Sequence, residues 1–183
     1  MDVSAGRRSN PLRVLVVDDH DAFRTGLAAI LSEAGFVVDA ATDGAAAVAR
    51  ARSFSPDVVL MDVEMPRVSG VDATRWLSRM MPSTRVVMLG YHEEGLLSAI
   101  RAGACGYLGK EITFEQLLAA IETVARGENV MSPRIGGALF AHLRKTPGGG
   151  APDPRSRPPA QARARFARPA SGIPGAQAAE LAA

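Results

Sequence analysis

Cysteine is almost missing from this 183-residue chain: Cys105 stands alone. That excludes an intramolecular disulfide and a thiolate metal cluster, and it suits a reducing compartment. Cys105 itself reads as a small buried residue at the start of a strand. Histidine is scarce too, three residues with His20 and His92 standing singly, so neither is assigned as a metal ligand. No apolar run approaches the roughly 18 residues that cross a bilayer. The stretch from Met1 to Asn10 lacks a signal-peptide core, so a cytoplasmic protein with no membrane association is expected. Charge of one sign is not in surplus either, with 21 basic against 19 acidic side chains.

What is present is an apolar fraction of 47%, enough for the core of one ordinary domain. Apolar runs alternate with helical patterns. The first strand is Leu12 to Val17, followed by a helix from Ala22 to Ala34 with Phe23, Leu27, Ile30 and Leu31 at helical spacing, stopped at Gly35. Phe36–Ala40 reads as a second strand, Ala45–Ser53 as a second helix begun at Asp43-Gly44, and Asp57–Met61 as a third strand running into Asp62. A third helix, Val71–Met81, stops at Pro82. A fourth strand spans Arg85–Leu89, a fourth helix Glu93–Ala102, and a short fifth strand ends near Leu108. Thr113 caps a fifth helix whose buried stripe holds Phe114, Leu117, Leu118, Ile121 and Val124. Five βα units with continuous apolar strands predict an α/β fold, a five-stranded parallel sheet covered on both faces in the flavodoxin-like order 2-1-3-4-5.

Organisation follows from composition. Residues 1–10 are expected to be flexible, 11–128 form the globular domain, and 129–145 form a linker with an amphipathic helix over Ser132–Lys145. Residues 146–183 hold seven of the twelve prolines, eleven alanines and only Phe166, Ile173 and Leu181 as large apolar residues, so disorder is expected there. Arg155, Arg157, Arg163, Arg165 and Arg168 make this tail basic. Without interleaved aromatics they read as a solvated, disordered segment rather than a nucleic-acid site.

Chemistry concentrates where three strands end. Asp18 and Asp19 close the first, Asp62 the third and Lys110 the fifth, and the carboxyl edge of a parallel sheet is where ligands bind. Two carboxylates about 4 Å apart repel by roughly 4 kcal/mol at an effective dielectric of 20, so such a cluster needs a proton or a cation. Hard oxygen donors favour Mg²⁺, which accepts phosphate oxygens. Asp62, alone at its strand end, is the candidate nucleophile for an aspartyl phosphate, with Lys110 placed to meet the phosphoryl group.

The motifs Val-Val-Asp-Asp-His20, Leu-Met-Asp-Val-Glu-Met-Pro66 and Ala-Gly-Ala-Cys-Gly-Tyr-Leu-Gly-Lys110 resemble those of the receiver domain of two-component response regulators, over residues 12 to about 127. Asp-Asp-His-Asp-Ala-Phe-Arg-Thr-Gly-Leu27 and Leu-Ser-Ala-Ile-Arg-Ala-Gly-Ala104 are further similar to the NarL/FixJ-type subfamily. The resemblance implies that Asp62 accepts a phosphoryl group from a sensor histidine kinase. It implies Mg²⁺ held by Asp19, Asp62 and the backbone carbonyl of Glu64, with Asp18 acting through a bound water. It also implies that Lys110 contacts the phosphoryl group and that Tyr107 changes rotamer on activation. Receivers of this kind dimerise or meet partners through the fourth helix, fifth strand and fifth helix.

Two departures stand out. The family carries Thr or Ser at the end of the fourth strand; here Arg85–Leu89 is followed by Gly90, whereas counting back from Lys110 reaches Met88, because the loop before His92 is about two residues short. Neither has a hydroxyl, and Ser83 and Thr84 lie at the far end of the strand. Members of the subfamily also usually carry a helix-turn-helix, which a proline-rich tail cannot supply, so DNA binding is not supported and descent from a longer transcriptional regulator is the expectation. The leading reading is a phosphoacceptor signalling domain; the alternative is a pseudo-receiver that binds partners without switching. A Mg²⁺-dependent phosphatase ranks last, since Glu64 stands where a general-acid aspartate would be needed, and no enzymatic turnover is expected.

Overall fold

The computed structural model describes residues 10–145; the expectations for residues 1–9 and for the tail 146–183 lie outside the described residues. Within them the elements run β1 (Arg13–Val17), α1 (Asp21–Glu33), β2 (Val37–Ala41), α2 (Gly44–Phe54), β3 (Val58–Asp62), α3 (Gly70–Met80) and β4 (Arg85–Gly90). There follow α4 (Leu96–Ala102), β5 (Gly106–Gly109), α5 (Phe114–Ala125), β6 (Val130–Met131) and α6 (Pro133–Lys145). All pairings are parallel and the sheet order is β2-β1-β3-β4-β5-β6.

The α/β fold and the order of the first five strands agree with expectation, but the sheet has six strands, not five. The added strand lies where a linker was expected. Val130 and Met131 pair with Gly106 and Tyr107, and the Val130 N–H donates to the Cys105 carbonyl at 3.1 Å. Arg85 fixes the turn that delivers this strand, its guanidinium donating to the carbonyls of Gly127 and Glu128 and to the Asn129 side chain. The helix expected over Ser132–Lys145 is α6.

Side-chain alternation along the strands sorts the core into two layers. Val14, Val16, Val58, Leu60, Val87, Leu89 and Leu108 face α1 and α5, where Leu27, Leu31, Leu117, Ile121 and Val124 are buried. Leu15, Val17, Val59, Met61, Val86, Met88 and Tyr107 face the opposite layer, built from α2, α3, α4 and Ile135 of α6. Burial on both faces explains why the strands read as unbroken apolar runs. Cys105 is buried, as expected.

Helix starts follow local hydrogen bonding. Asp43 accepts from the Ala46 N–H, and Thr113 forms a reciprocal capping box with Gln116. The fourth helix begins later than the pattern predicted, at Leu96 rather than Glu93. Gly95 adopts φ of 87°, which breaks helical continuity, and the carbonyl of His92 turns away to accept from the Tyr107 hydroxyl at 2.7 Å.

Candidate functional site

Because β1 and β3 are hydrogen-bonded neighbours and β5 lies beyond β4, the carboxyl edge of the sheet gathers the charged strand ends. Asp18 directly follows β1, Asp62 is the last residue of β3, and Lys110 directly follows β5. All three are withdrawn from solvent: Asp18 is 1% exposed, Asp62 3%, and the Lys110 side chain 4%. The Lys110 ammonium lies 2.7 Å from Asp18 Oδ2 and 3.0 Å from Asp62 Oδ1. One cation therefore bridges two buried carboxylates.

The backbone holds each group in place. Asp18 Oδ1 accepts from the His20 N–H at 2.8 Å, and Arg24 donates to the Asp18 carbonyl at 2.8 Å. The Lys110 N–H donates to the Gly90 carbonyl at 3.0 Å, tying the ends of β4 and β5. At Gly70, the first residue of α3, a Cβ would lie 1.9 Å from the Asp62 carbonyl oxygen. Only glycine permits that approach, so Gly70 belongs to the site as much as the charged residues do. In sequence it shows only as the last residue of the turn after Asp62.

Burial raises the Asp62 carboxyl above the ordinary aspartate value, and the neighbouring Asp18 charge adds to this, while Lys110 and the Glu64 N–H pull the other way. Burial alone would lower Lys110, but its hydrogen bonds to Asp18 and Asp62 outweigh that and hold it above the ordinary lysine value. Asp18, Asp19, His20 and Asp62 each offer a ligand atom within 4.8 Å of the others. His20 Nδ1 lies 3.0 Å from Asp19 Oδ1, a closeness to the acidic cluster that isolated histidines in a sequence do not reveal. Three carboxylates against one buried ammonium leave an excess of negative charge, and hard oxygen donors of that kind fit a divalent cation such as Mg²⁺.

Gly90, not Met88, stands at the rim. It ends β4 and pairs with Gly109 beside Lys110, whereas Met88 is fully buried between Met61 and Tyr107. Thr84 is at the opposite end of the strand, where its hydroxyl donates to the Pro56 carbonyl. Tyr107 is 1% exposed and its ring lies against Gly90: a Cβ there would be 2.8 Å from the tyrosine hydroxyl. Burial, then the nearby charges of Glu64, Asp62 and Glu94, push the Tyr107 phenol up to about 12. Two rings beside Lys110, Phe23 and Tyr91, escaped the sequence reading, because aromatic spacing alone does not show which rings face a lysine.

Comparison with known proteins places this geometry. A sequence-family model described as the response regulator receiver domain matches residues 14–122. Response regulator GacA of Pseudomonas aeruginosa is 42% identical over 128 residues, 68% of this chain and 60% of its own length. The nitrate/nitrite response regulator protein NarL of Escherichia coli is 36% identical over 138 residues, 73% of this chain and 64% of its own. The chain thus spans about three fifths of the curated relatives it matches. A crystal structure of a LuxR-family two-component response regulator from Aurantimonas sp. SI85-9A1 superposes with a TM-score of 0.68 at 31% identity, over 74% of this chain and 100% of that one. The receiver domain of the putative response regulator NarL from Mycobacterium tuberculosis superposes with a TM-score of 0.59 at 34% identity, over 64% and 98%.

Proposed function

The chain belongs to the response regulator receiver family, and from that premise we propose that Asp62 accepts a phosphoryl group from a kinase phosphohistidine and that the domain signals through protein contacts. The observation that carries this is the single buried ammonium of Lys110 shared between Asp18 and Asp62 at the ends of neighbouring strands.

In the transfer, a carboxylate oxygen of Asp62 attacks phosphorus, the bond from phosphorus to the donor imidazole nitrogen breaks, and the electron pair remains on that nitrogen. Lys110 is poised for this, because an ammonium already within 3.0 Å of the acceptor carboxylate reaches the phosphoryl oxygens once they are attached. Its pairing with the carboxylate also opposes the burial that favours the neutral acid, and an ionised oxygen is what the attack needs. Asp19, Asp62 and the Glu64 carbonyl would hold Mg²⁺, with Asp18 acting through water. When bound, the ion offsets charge on the phosphoryl oxygens. The domain turns over no phosphate ester beyond loss of its own phosphate. Dimerisation through α4, β5 and α5 is the proposed mode of assembly, on a surface that α6 reshapes by packing against α4 and β5.

A second reading, a binding module that keeps the pocket without the hydroxyl-based switch, is favoured by one observation: Tyr107 already lies buried over Gly90. Intact-mass measurement after incubation with a small acyl phosphate and Mg²⁺ separates the two. A single Mg²⁺-dependent adduct, lost in Asp62→Asn, is expected. No adduct on the native chain from either the small donor or a kinase would refute the phosphoacceptor reading and leave the binding module.

A further inference from the structure

Lys110 touches more than carboxylates. Its ammonium lies over the Phe23 ring, 4.8 Å from the centroid, and over the Tyr91 ring at 5.4 Å. Both distances fall within the roughly 6 Å range of cation–π attraction. The two rings come from separate parts of the chain: Phe23 from the first turn of α1, Tyr91 from the residue that follows β4. The lysine side chain beside them is 4% exposed.

Tyr91 is 59% exposed, yet its main chain is fastened. Arg134, in the first turn of α6, donates to the Tyr91 carbonyl at 2.9 Å and pairs with Glu111 at 3.1 Å. Tyr91 follows Gly90, Glu111 follows Lys110, and the Lys110 N–H already donates to the Gly90 carbonyl. One arginine of α6 therefore staples the residue that follows β4 to the residue that follows the lysine itself.

We propose that Tyr91, held by Arg134, is a positioning residue for Lys110: with Phe23 it keeps the ammonium against Asp62 and covers the mouth of the site, slowing hydrolysis of the aspartyl phosphate. This rests on the phosphoacceptor reading. In the hydrolysis a water oxygen attacks phosphorus, the bond from phosphorus to the Asp62 oxygen breaks with its electron pair returning to the carboxylate, and the water proton passes to solvent as inorganic phosphate leaves. A ring over the lysine limits the approach of that water.

The test uses the full chain and four variants: Tyr91→Phe, Tyr91→Leu, Tyr91→Ala and Arg134→Ala. Adduct lifetime is followed by intact mass after donor removal. A cation–π contact at an exposed site corresponds to about a two- to five-fold effect on the rate, so Tyr91→Leu loses phosphate faster by that factor. Tyr91→Phe, which keeps the ring, matches the native chain, and Arg134→Ala moves in the same direction as Leu by less. Leu matching the native chain while only Ala is faster would show bulk alone and overturn the clamp; so would four native-like variants. Ring-current shifts at the Lys110 ε-methylene protons supply a readout that needs no phosphate. They are upfield in the native and Phe forms and relax in Leu. If the native chain takes up no phosphate at all, the phosphoacceptor reading falls, while these resonances still decide the clamp: relaxation in Leu supports it and unchanged shifts overturn it.

Discussion

Replacing Gly90 by Ala tests whether Tyr107 keeps its buried place only because residue 90 has no side chain. The new methyl would stand 2.8 Å from the Tyr107 hydroxyl, 3.1 Å from Val63 Cγ2 and 3.4 Å from Tyr107 Cζ. Gly90 is not among the positive-φ glycines, so alanine brings no backbone strain and the contact decides the outcome. The hydroxyl cannot move cheaply, because it is buried and donates to the His92 carbonyl at 2.7 Å. Losing that bond costs about 1 kcal/mol and overpacking about 1–3 kcal/mol, while the gain from replacing a strand glycine returns about 0.5–1 kcal/mol. The net expectation is a destabilisation of about 1–3 kcal/mol, read as a lower urea midpoint at unchanged slope. In a Tyr107→Phe background the closest contact disappears, leaving the 3.1 Å approach to Val63 Cγ2 and the ordinary 3.4 Å approach to the ring. There Gly90→Ala should cost about 1–2 kcal/mol less than in the native chain, since only Val63 still has to give way, and that difference is the coupling read in the double-mutant cycle. Additivity within about 0.5 kcal/mol, or a Gly90→Ala chain more stable than the native one, would refute the claim that Gly90 makes room for Tyr107.

Asp62→Asn should raise the urea midpoint at neutral pH without metal, because burial lifts this carboxyl above its unfolded value and its charge opposes folding. By the same sign, the native chain gains stability as pH falls through the raised value, and the Asn form lacks that gain. On the alkaline side, Tyr107 stays neutral to about 12 when folded but ionises near 10 when unfolded, so stability falls between those values; Tyr107→Phe should flatten that limb, leaving the part due to Lys110. Thr113→Ala removes the capping box of α5 and should cost about 1 kcal/mol by denaturation. Ile135→Ala should cost about 2–5 kcal/mol and speed amide exchange in α6, since Ile135 is fully buried against the α4 layer.

The charged strand ends were legible because a parallel sheet buried on both faces writes its strands as apolar runs, and a carboxylate or lysine ending such a run has nowhere to go but the edge. Thr113 and Asp43 were legible as caps for an equally local reason. β6 was not: two residues, Val130 and Met131, are too few to display alternation, and their pairing depends on Arg85 holding a turn more than 40 residues away. The late start of α4 depends on the Tyr107 hydroxyl, and the rings around Lys110 depend on which helix faces which strand end. Such contacts are set by tertiary structure and leave no periodic trace.

The sixth strand also redraws where this domain can be cut. A fragment ending with α5 would strip Val130 and Met131 from the outer edge of β5, leaving the carbonyls of Cys105 and Tyr107 without the N–H groups of Val130 and Ser132 that they accept from. It would also remove Ile135 from the core layer and Arg134 from the Tyr91 loop. Any dissection, fusion or domain exchange built on this chain should therefore carry the segment through Lys145 as part of the folded unit, with the junction placed beyond α6.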